Sequence, residues 1–371
     1  MKKDIKKEET VVYTSICMNY LPKALVLGKS LKKHNPDIKF YVVLLEREIP
    51  KEITKDMYKI IDKIILAKDL GYEDFDKFIF KHSIVEASTS VKGQALVYLL
   101  ENVANKVMYI DPDIKVYQKL TKLEELLEEH DIILTPHVTI PETEENNIRN
   151  NELCALQHGV YNLGFVAVNG REEGMKFARW WRDRLHLYSY DDIPNGIFTD
   201  QRWVDLAPAY FDCYILKDLG HNMAPWNLST RKLSKVGKKI MVNGKDELVF
   251  FHFSGFDSGA NLAVFSHYIK DDNALEYQLR DEYIEDLKSM EQESLGNYCW
   301  SYSLYENGEK IDNKVRVMYR DSKYFNVIKE SPFSKNNKYF YKIFNSGKFK
   351  KAIKNSKLYN VLRKVKNKIV K

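Results

Sequence analysis

The chain has 371 residues, 44% of them hydrophobic and 30% charged, with a formal net charge of +6. That balance is too apolar for a disordered chain and too charged for a membrane-embedded one, and the length allows a large core with additions. The charge is uneven: residues 331–371 hold twelve lysines, Arg363 and no acid, so a strongly basic tail follows a slightly acidic body.

The opening segment MKKDIKKEET is charged and has no apolar stretch of signal-peptide type. No later run reaches the ~18 apolar residues of a spanning helix. The expected location is the cytoplasm, with the inner membrane face open as a site of contact. Four cysteines, Cys17, Cys154, Cys213 and Cys299, lie far apart and have no metal-ligand spacing. Reduced thiols are expected.

The first predicted element is Val11 to Cys17, a continuous apolar and β-branched run suited to a buried parallel strand. Pro22 fits the first turn of a helix that carries Ala24, Leu25, Leu27 and Leu31 at helical spacing. Phe40 to Leu45 reads as the second strand and Ile64 to Leu66 as the third. Ser90 to Glu101 reads as a helix, Val107 to Ile110 as a strand ending at Asp111, Leu120 to Glu129 as a helix and Ile132 to Leu134 as a strand. This βαβα rhythm predicts an α/β fold with a mostly parallel central sheet. Residues 136–161 are polar and read as a loop. A strand follows over Leu163 to Val168, a helix over Glu172 to Leu187, and a helix opened by Asp200. Val249 to His252 is the last clear strand, residues 272–290 read as helical, and 297–320 alternate like a hairpin around Asn307-Gly308.

Several nucleotide and catalytic signatures fail. Gly28-Lys29-Ser30 resembles the end of a P-loop, but the glycine required five residues earlier is Lys23, and the triplet sits inside a helical pattern. GxGxxG, HExxH, GxSxG and CxxC are absent.

The informative motif is Asp111-Pro112-Asp113, two carboxylates at the carboxyl end of an apolar strand. In an open α/β sheet that end is where ligands bind. Two hard oxygen ligands this close suit Mg²⁺ or Mn²⁺, which would in turn hold diphosphate oxygens. A bare DxD is weak alone, since Asp74-Phe75-Asp76 is another and takes no role. A solvated strand-end turn is the plain alternative for Asp111 and Asp113.

With these residues the chain resembles the GT-A glycosyltransferases, and above all the retaining enzymes of glycosyltransferase family 8, over roughly residues 10–258. Asn19-Tyr20 matches the nucleotide-contacting Asn-Tyr, and Lys92 the basic residue at the donor. Asp111 and Asp113 match the metal-binding pair, Asn162-Leu163-Gly164 the Asn-x-Gly beside the donor sugar, Asp200-Gln201 the pair at the reaction centre, and His252 to Gly255 the His-x-x-Gly whose histidine is the third metal ligand. Two positions depart from the pattern: Cys17 stands where the family has an acid, and Ser258 where it often has a pyrophosphate lysine. A basic residue from elsewhere, such as Arg231, is expected to take that lysine's place.

The resemblance implies a GT-A catalytic domain, expected over 1–268; the residues themselves read as a small C-terminal α-rich extension over 269–330 and a basic amphipathic tail over 331–371. It implies a metal-dependent transferase that moves a sugar from a nucleotide sugar, with UDP the expected nucleotide, to a glycan, lipid-linked or protein acceptor with retention. Asp200, Gln201 and Asn162 would serve catalysis. Asn19, Tyr20, Lys92, Asp111, Asn162, Gly164 and Gly255 would bind the donor, and Asp111, Asp113 and His252 the Mn²⁺ or Mg²⁺. Taken singly these residues have plain readings too: a core histidine for His252, a helix cap for Asp200, a turn for Asn162 and Gly164, surface for Lys92. Trp180-Trp181 reads as helix packing. The tail fits a peripheral membrane contact or a helix packed on the body, and nucleic acid less well, because no recognised module accompanies it. The competing functions are a sugar nucleotidyltransferase and a catalytically inactive relative that binds nucleotide sugar, membrane or partner.

Overall fold

The computed structural model describes residues 7–320 and 330–334; the basic tail beyond residue 334 lies outside them. The described residues fall into two compact units, one within residues 1–73 and 84–301, the other within residues 74–83 and 302–371.

The first unit is built on a seven-stranded sheet. β1 (Glu8–Ile16), β2 (Lys39–Leu44), β3 (Lys63–Leu66), β4 (Ala104–Ile110), β6 (Ile132–Pro136) and β7 (Tyr161–Asn169) are joined by the short strand Tyr214–Ile215; β5 (Ile114–Val116) lies outside this sheet. The spatial order is 214–215, β6, β7, β4, β1, β2, β3. β4, β1, β2 and β3 run parallel, and β7 alone is reversed between β4 and β6. The expected α/β architecture is therefore present. Val11, Val12 and Tyr13 are fully buried, as a strand covered on both faces requires. Gly28 lies inside the Leu21–His34 helix, where a Cβ would approach Phe40 and Ile60 side chains to 2.7 Å. It is a close-packing position and has no phosphate-loop geometry.

Two predicted elements differ. The stretch read as a loop after β6 is largely helical, with Glu145–Asn147, a π-helical turn at Ile148–Leu153 and Cys154–His158. Its polar composition hid the helix because little of it is buried. The alternation of Val315, Val317 and Tyr319 belongs to a helix, Asn313–Tyr319, capped by Asp312; only a bridge between Leu304 and Lys310 remains of the expected hairpin.

The second unit packs the Phe75–Phe80 helix against the Asn313–Tyr319 helix. Phe80 meets Tyr319 and Phe333 edge-on, and Arg316 donates to the carbonyls of Phe80 and Tyr302. Asp74 caps the first of these helices by accepting from Lys77 N, so the second DxD has a local structural role.

Candidate active site

β4 ends at Ile110 and delivers Asp111 to the rim of the sheet. Asp111 N donates to Gly164 O at 2.8 Å, and Ile114 N donates to Asp111 O at 3.1 Å, closing a turn with Pro112 at its second position. The turn leads into β5, which pairs antiparallel with Phe250–His252 and sets His252 opposite Ile114. Phe253 N also donates to Asp113 O at 2.9 Å. This small ribbon carries a histidine from 140 positions downstream to the two carboxylates.

His252 Nε2 lies 3.0 Å from Asp113 Oδ1 and 3.8 Å from Asp111 Oδ2. One ligand atom from each of the three residues lies within 4.8 Å of the others. Burial pushes the Asp113 carboxyl up, but the charge and hydrogen bond of His252, with Lys23 nearby, hold it below its ordinary range. His252 moves the opposite way: burial lowers it, and Asp113 and Asp111 raise it further than that.

Lys92 opens the Lys92–Asn102 helix and is almost wholly buried. Its ammonium lies 3.3 Å from Asp111 Oδ1, 3.0 Å from Asp200 Oδ2 and 4.1 Å from the Tyr109 ring centroid, and donates to Leu163 O at 3.0 Å. Burial disfavours its charge, yet the two carboxylates raise its pKa. Asp200 stands just before the Gln201–Val204 helix, at its N-cap position, without capping it through its side chain. Its carboxylate instead meets Lys92 and Thr199 Oγ1, the latter at 3.1 Å. Burial raises its pKa, and Lys92 only partly offsets that. Thr199 precedes it at φ +44°, a strained setting for a β-branched residue. Trp181 donates to Asp200 O at 3.1 Å from a fully buried position, so its side chain packs and fixes this bend.

The start of β7 forms the facing wall. Gln201 Oε1 accepts from Leu163 N at 3.0 Å, and its Nε2 donates to His158 O at 3.0 Å. Asn162 Oδ1 accepts from Gly164 N at 3.1 Å and from Asn222 Nδ2 at 2.9 Å. A Cβ on Gly164 would come within 2.5 Å of His252 Cε1, so only glycine lets this strand pass the histidine.

These residues line one cavity of about 390 Å³, which brings together Lys92, Asp111, Asp113, Asn162, Gly164, Asp200, Gln201 and His252. Gly255 lines an adjoining cavity that shares Trp226 and Ser254 with it. Asn19 and Tyr20 sit at the carboxyl end of β1 outside both linings. Arg231 is elsewhere engaged: it is buried and donates to the carbonyls of Leu219 and His221, and so does not replace the missing lysine. The sequence left His137, His158 and Cys154 unassigned, yet they line the cavity. His137 Nε2 lies 3.1 Å from Asn162 Nδ2, and its ring meets Trp226 edge-on. Burial lowers its pKa to about 4, so it is neutral at pH 7.

The sequence model of "Glycosyl transferase family 8" matches residues 11–255. The uncharacterized protein YfnF of Bacillus subtilis (strain 168) is 24% identical over 248 residues, covering 66% of this chain and 80% of that one. Among solved structures, the galactosyltransferase LgtC in complex with donor and acceptor sugar analogs is 18% identical, with 76% of this chain and 95% of that one covered and a TM-score of 0.40. The apo-form glycosyltransferase GlyE of Streptococcus pneumoniae TIGR4 is 16% identical, with 81% and 67% covered and a TM-score of 0.42. The family match spans the sheet, the carboxylate turn and the histidine ribbon, and the chain belongs to glycosyl transferase family 8.

Proposed function

We propose that this glycosyltransferase takes a sugar from a nucleotide sugar, with UDP as the first nucleotide to try, and passes it with retention to a carbohydrate-bearing acceptor in a divalent-metal-dependent reaction. The observation that carries this reading is the meeting of Asp111, Asp113 and His252 on a cavity whose other wall is Asn162, Asp200 and Gln201.

The three residues fit an ion such as Mn²⁺: two carboxylate oxygens and one imidazole nitrogen form a borderline-hard set. His252 Nδ1 is buried with no hydrogen-bond partner among the described residues, so Nε2 is the nitrogen turned to the carboxylates. A bound ion would supply Lewis-acid stabilisation of charge on the departing diphosphate.

The chain's own groups do the rest. The buried Lys92 ammonium is shared by Asp111 and Asp200, and so ties the carboxylate beside the ion site to the one beside the sugar. Asp200 is placed to stabilise positive charge developing at the anomeric carbon. Gln201 and Asn162 are positioning residues, because their amides are committed to Leu163, Gly164, Asn222 and His158. Retention asks no carboxylate to act as base on the far face of the sugar. The acceptor hydroxyl enters from the leaving-group side, with a phosphate oxygen taking its proton.

The test is nucleotide release from UDP-, GDP-, CMP- and dTDP-sugars with Mn²⁺ or EDTA. Metal-dependent release from one donor, abolished in Asp113→Ala, is expected. Equal release with EDTA overturns the metal-dependent reading.

A further inference from the structure

Lys23 lies in the first turn of the Leu21–His34 helix and is 2% exposed. Its ammonium rests 4.0 Å from the Tyr20 ring centroid and forms an ion pair with Asp257, whose side chain is 48% exposed. Tyr20 donates to the same carboxylate oxygen at 3.0 Å. A buried lysine is costly unless an anion meets it, and here the anion comes from a half-exposed residue 234 positions away.

Asp257 lies five residues beyond His252, on the segment that leaves the candidate metal site. Lys23 is near enough to Asp113 to act on it through its charge, and Tyr20 near enough to feel Asp257, Asp113 and Asp111. The pair is thus within electrostatic reach of both carboxylates of the turn.

Among the described residues, two other candidate cations are committed. Lys92 is shared by Asp111, Asp200 and Leu163 O, and Arg231 by two backbone carbonyls. Position 258 offers no charge, and Ser258 Oγ donates to Gly255 O at 3.2 Å. The segment after the histidine therefore brings an acid, where a diphosphate beside the ion needs a base.

We propose that Lys23 is the diphosphate-binding cation of this chain, and that Asp257 is a resident stand-in for phosphate, displaced when a nucleoside diphosphate enters. A carboxylate oxygen occupies the position a phosphate oxygen would take against the ammonium and the Tyr20 hydroxyl. This assignment rests on the nucleotide-sugar reading above. Its consequence is a competition: Lys23 attracts the donor, and Asp257 opposes it.

The experiment is a calorimetric titration of UDP, GDP, CDP and dTDP with Mn²⁺ into the full-length chain and three variants. For the nucleotide the wild type binds, Lys23→Gln weakens binding about tenfold or more, the loss of one charge-assisted contact. Asp257→Asn tightens it several-fold, and Lys29→Gln, which removes an exposed charge from the same helix, leaves it unchanged. Asp257 is exposed enough for its variant to fold, so this arm stands even if Lys23→Gln melts early. If both variants weaken binding, or if neither changes it, the pair is a structural salt bridge and the proposal is overturned while the donor reading stands. Wild-type protein that binds none of the four overturns both.

Discussion

Alanine at position 164 probes the candidate metal site through a single methyl group. The new Cβ would lie 2.5 Å from His252 Cε1 and 2.7 Å from Nδ1, where ordinary contact begins at 3.4 Å. The ring must therefore retreat by about 0.9 Å. The backbone cannot follow easily, because His252 N donates to Met223 O at 2.7 Å and Phe253 N to Asp113 O at 2.9 Å. Retreat toward Asn162 is closed as well, since its Oδ1 lies 2.7 Å from the same methyl. Metal–ligand distances hold to about ±0.2 Å, so the displacement is several times what ligation allows. Gly164→Ala should weaken Mn²⁺ binding roughly ten- to a hundredfold, with about 1–3 kcal/mol of stability lost to overpacking. Titration of free Mn²⁺ by electron paramagnetic resonance measures the first quantity and a metal-free urea melt the second. A folded variant that binds Mn²⁺ as tightly as the wild type would show that His252 is not a ligand.

The two DxD sequences should separate cleanly. Asp113→Ala loses metal-dependent nucleotide release and stays folded, whereas Asp74→Ala loses about 1 kcal/mol of helix capping and keeps release; equal effects on release would refute the distinction. Lys92→Gln leaves Asp111 and Asp200 without their cation and should cost about 3–5 kcal/mol in a urea melt, with Lys92→Arg failing to restore activity because a fork does not fit a position made for a point charge. Asp218 Oδ1 lies 3.0 Å from His221 Nδ1 and its Oδ2 accepts from Lys122; burial pushes its carboxyl up, and these partners hold it below its ordinary range. Its folded pKa lies below the unfolded one, so its contribution is complete above about pH 4 and fades as acid is added. Asp218→Asn should be about 1–2 kcal/mol less stable than wild type at pH 7, with the gap shrinking below pH 4. A gap that is the same at pH 6 and pH 3 would contradict this.

The parallel half of the sheet was legible because its strands are short apolar runs covered on both faces, and periodicity reports burial directly. The carboxylate turn was legible because Pro112 and the strand before it fix its place. His252 was legible only as a match to a family order; its strand is three residues long, and nothing local in Phe250–His252 announces a partner at Ile114. Lys23 was invisible as a functional candidate. A lysine in a helix reads as solvated, and its burial depends on an aspartate 234 residues later. Asp200 shows the opposite case. Its position before a helix was readable, but the side chain serves Lys92 in place of the helix end, because tertiary charge outweighs a local cap. The helices of 145–158 escaped because solvent-facing helices with few buried residues carry no apolar stripe.

The reversal of β7 has a consequence for how this enzyme can change. β6 runs toward the rim that holds Asp111, and β7 starts from that same rim because it runs back. The segment 137–160 therefore leaves and re-enters the sheet on one side, bringing His137, Cys154 and His158 to the cavity without passing through the core. A parallel strand there would need a crossover spanning the sheet's full height. Here the excursion is an interchangeable module. On the proposed function, its length and side chains can vary while Asn162 and Gly164, at the point of re-entry, keep their places on the cavity wall.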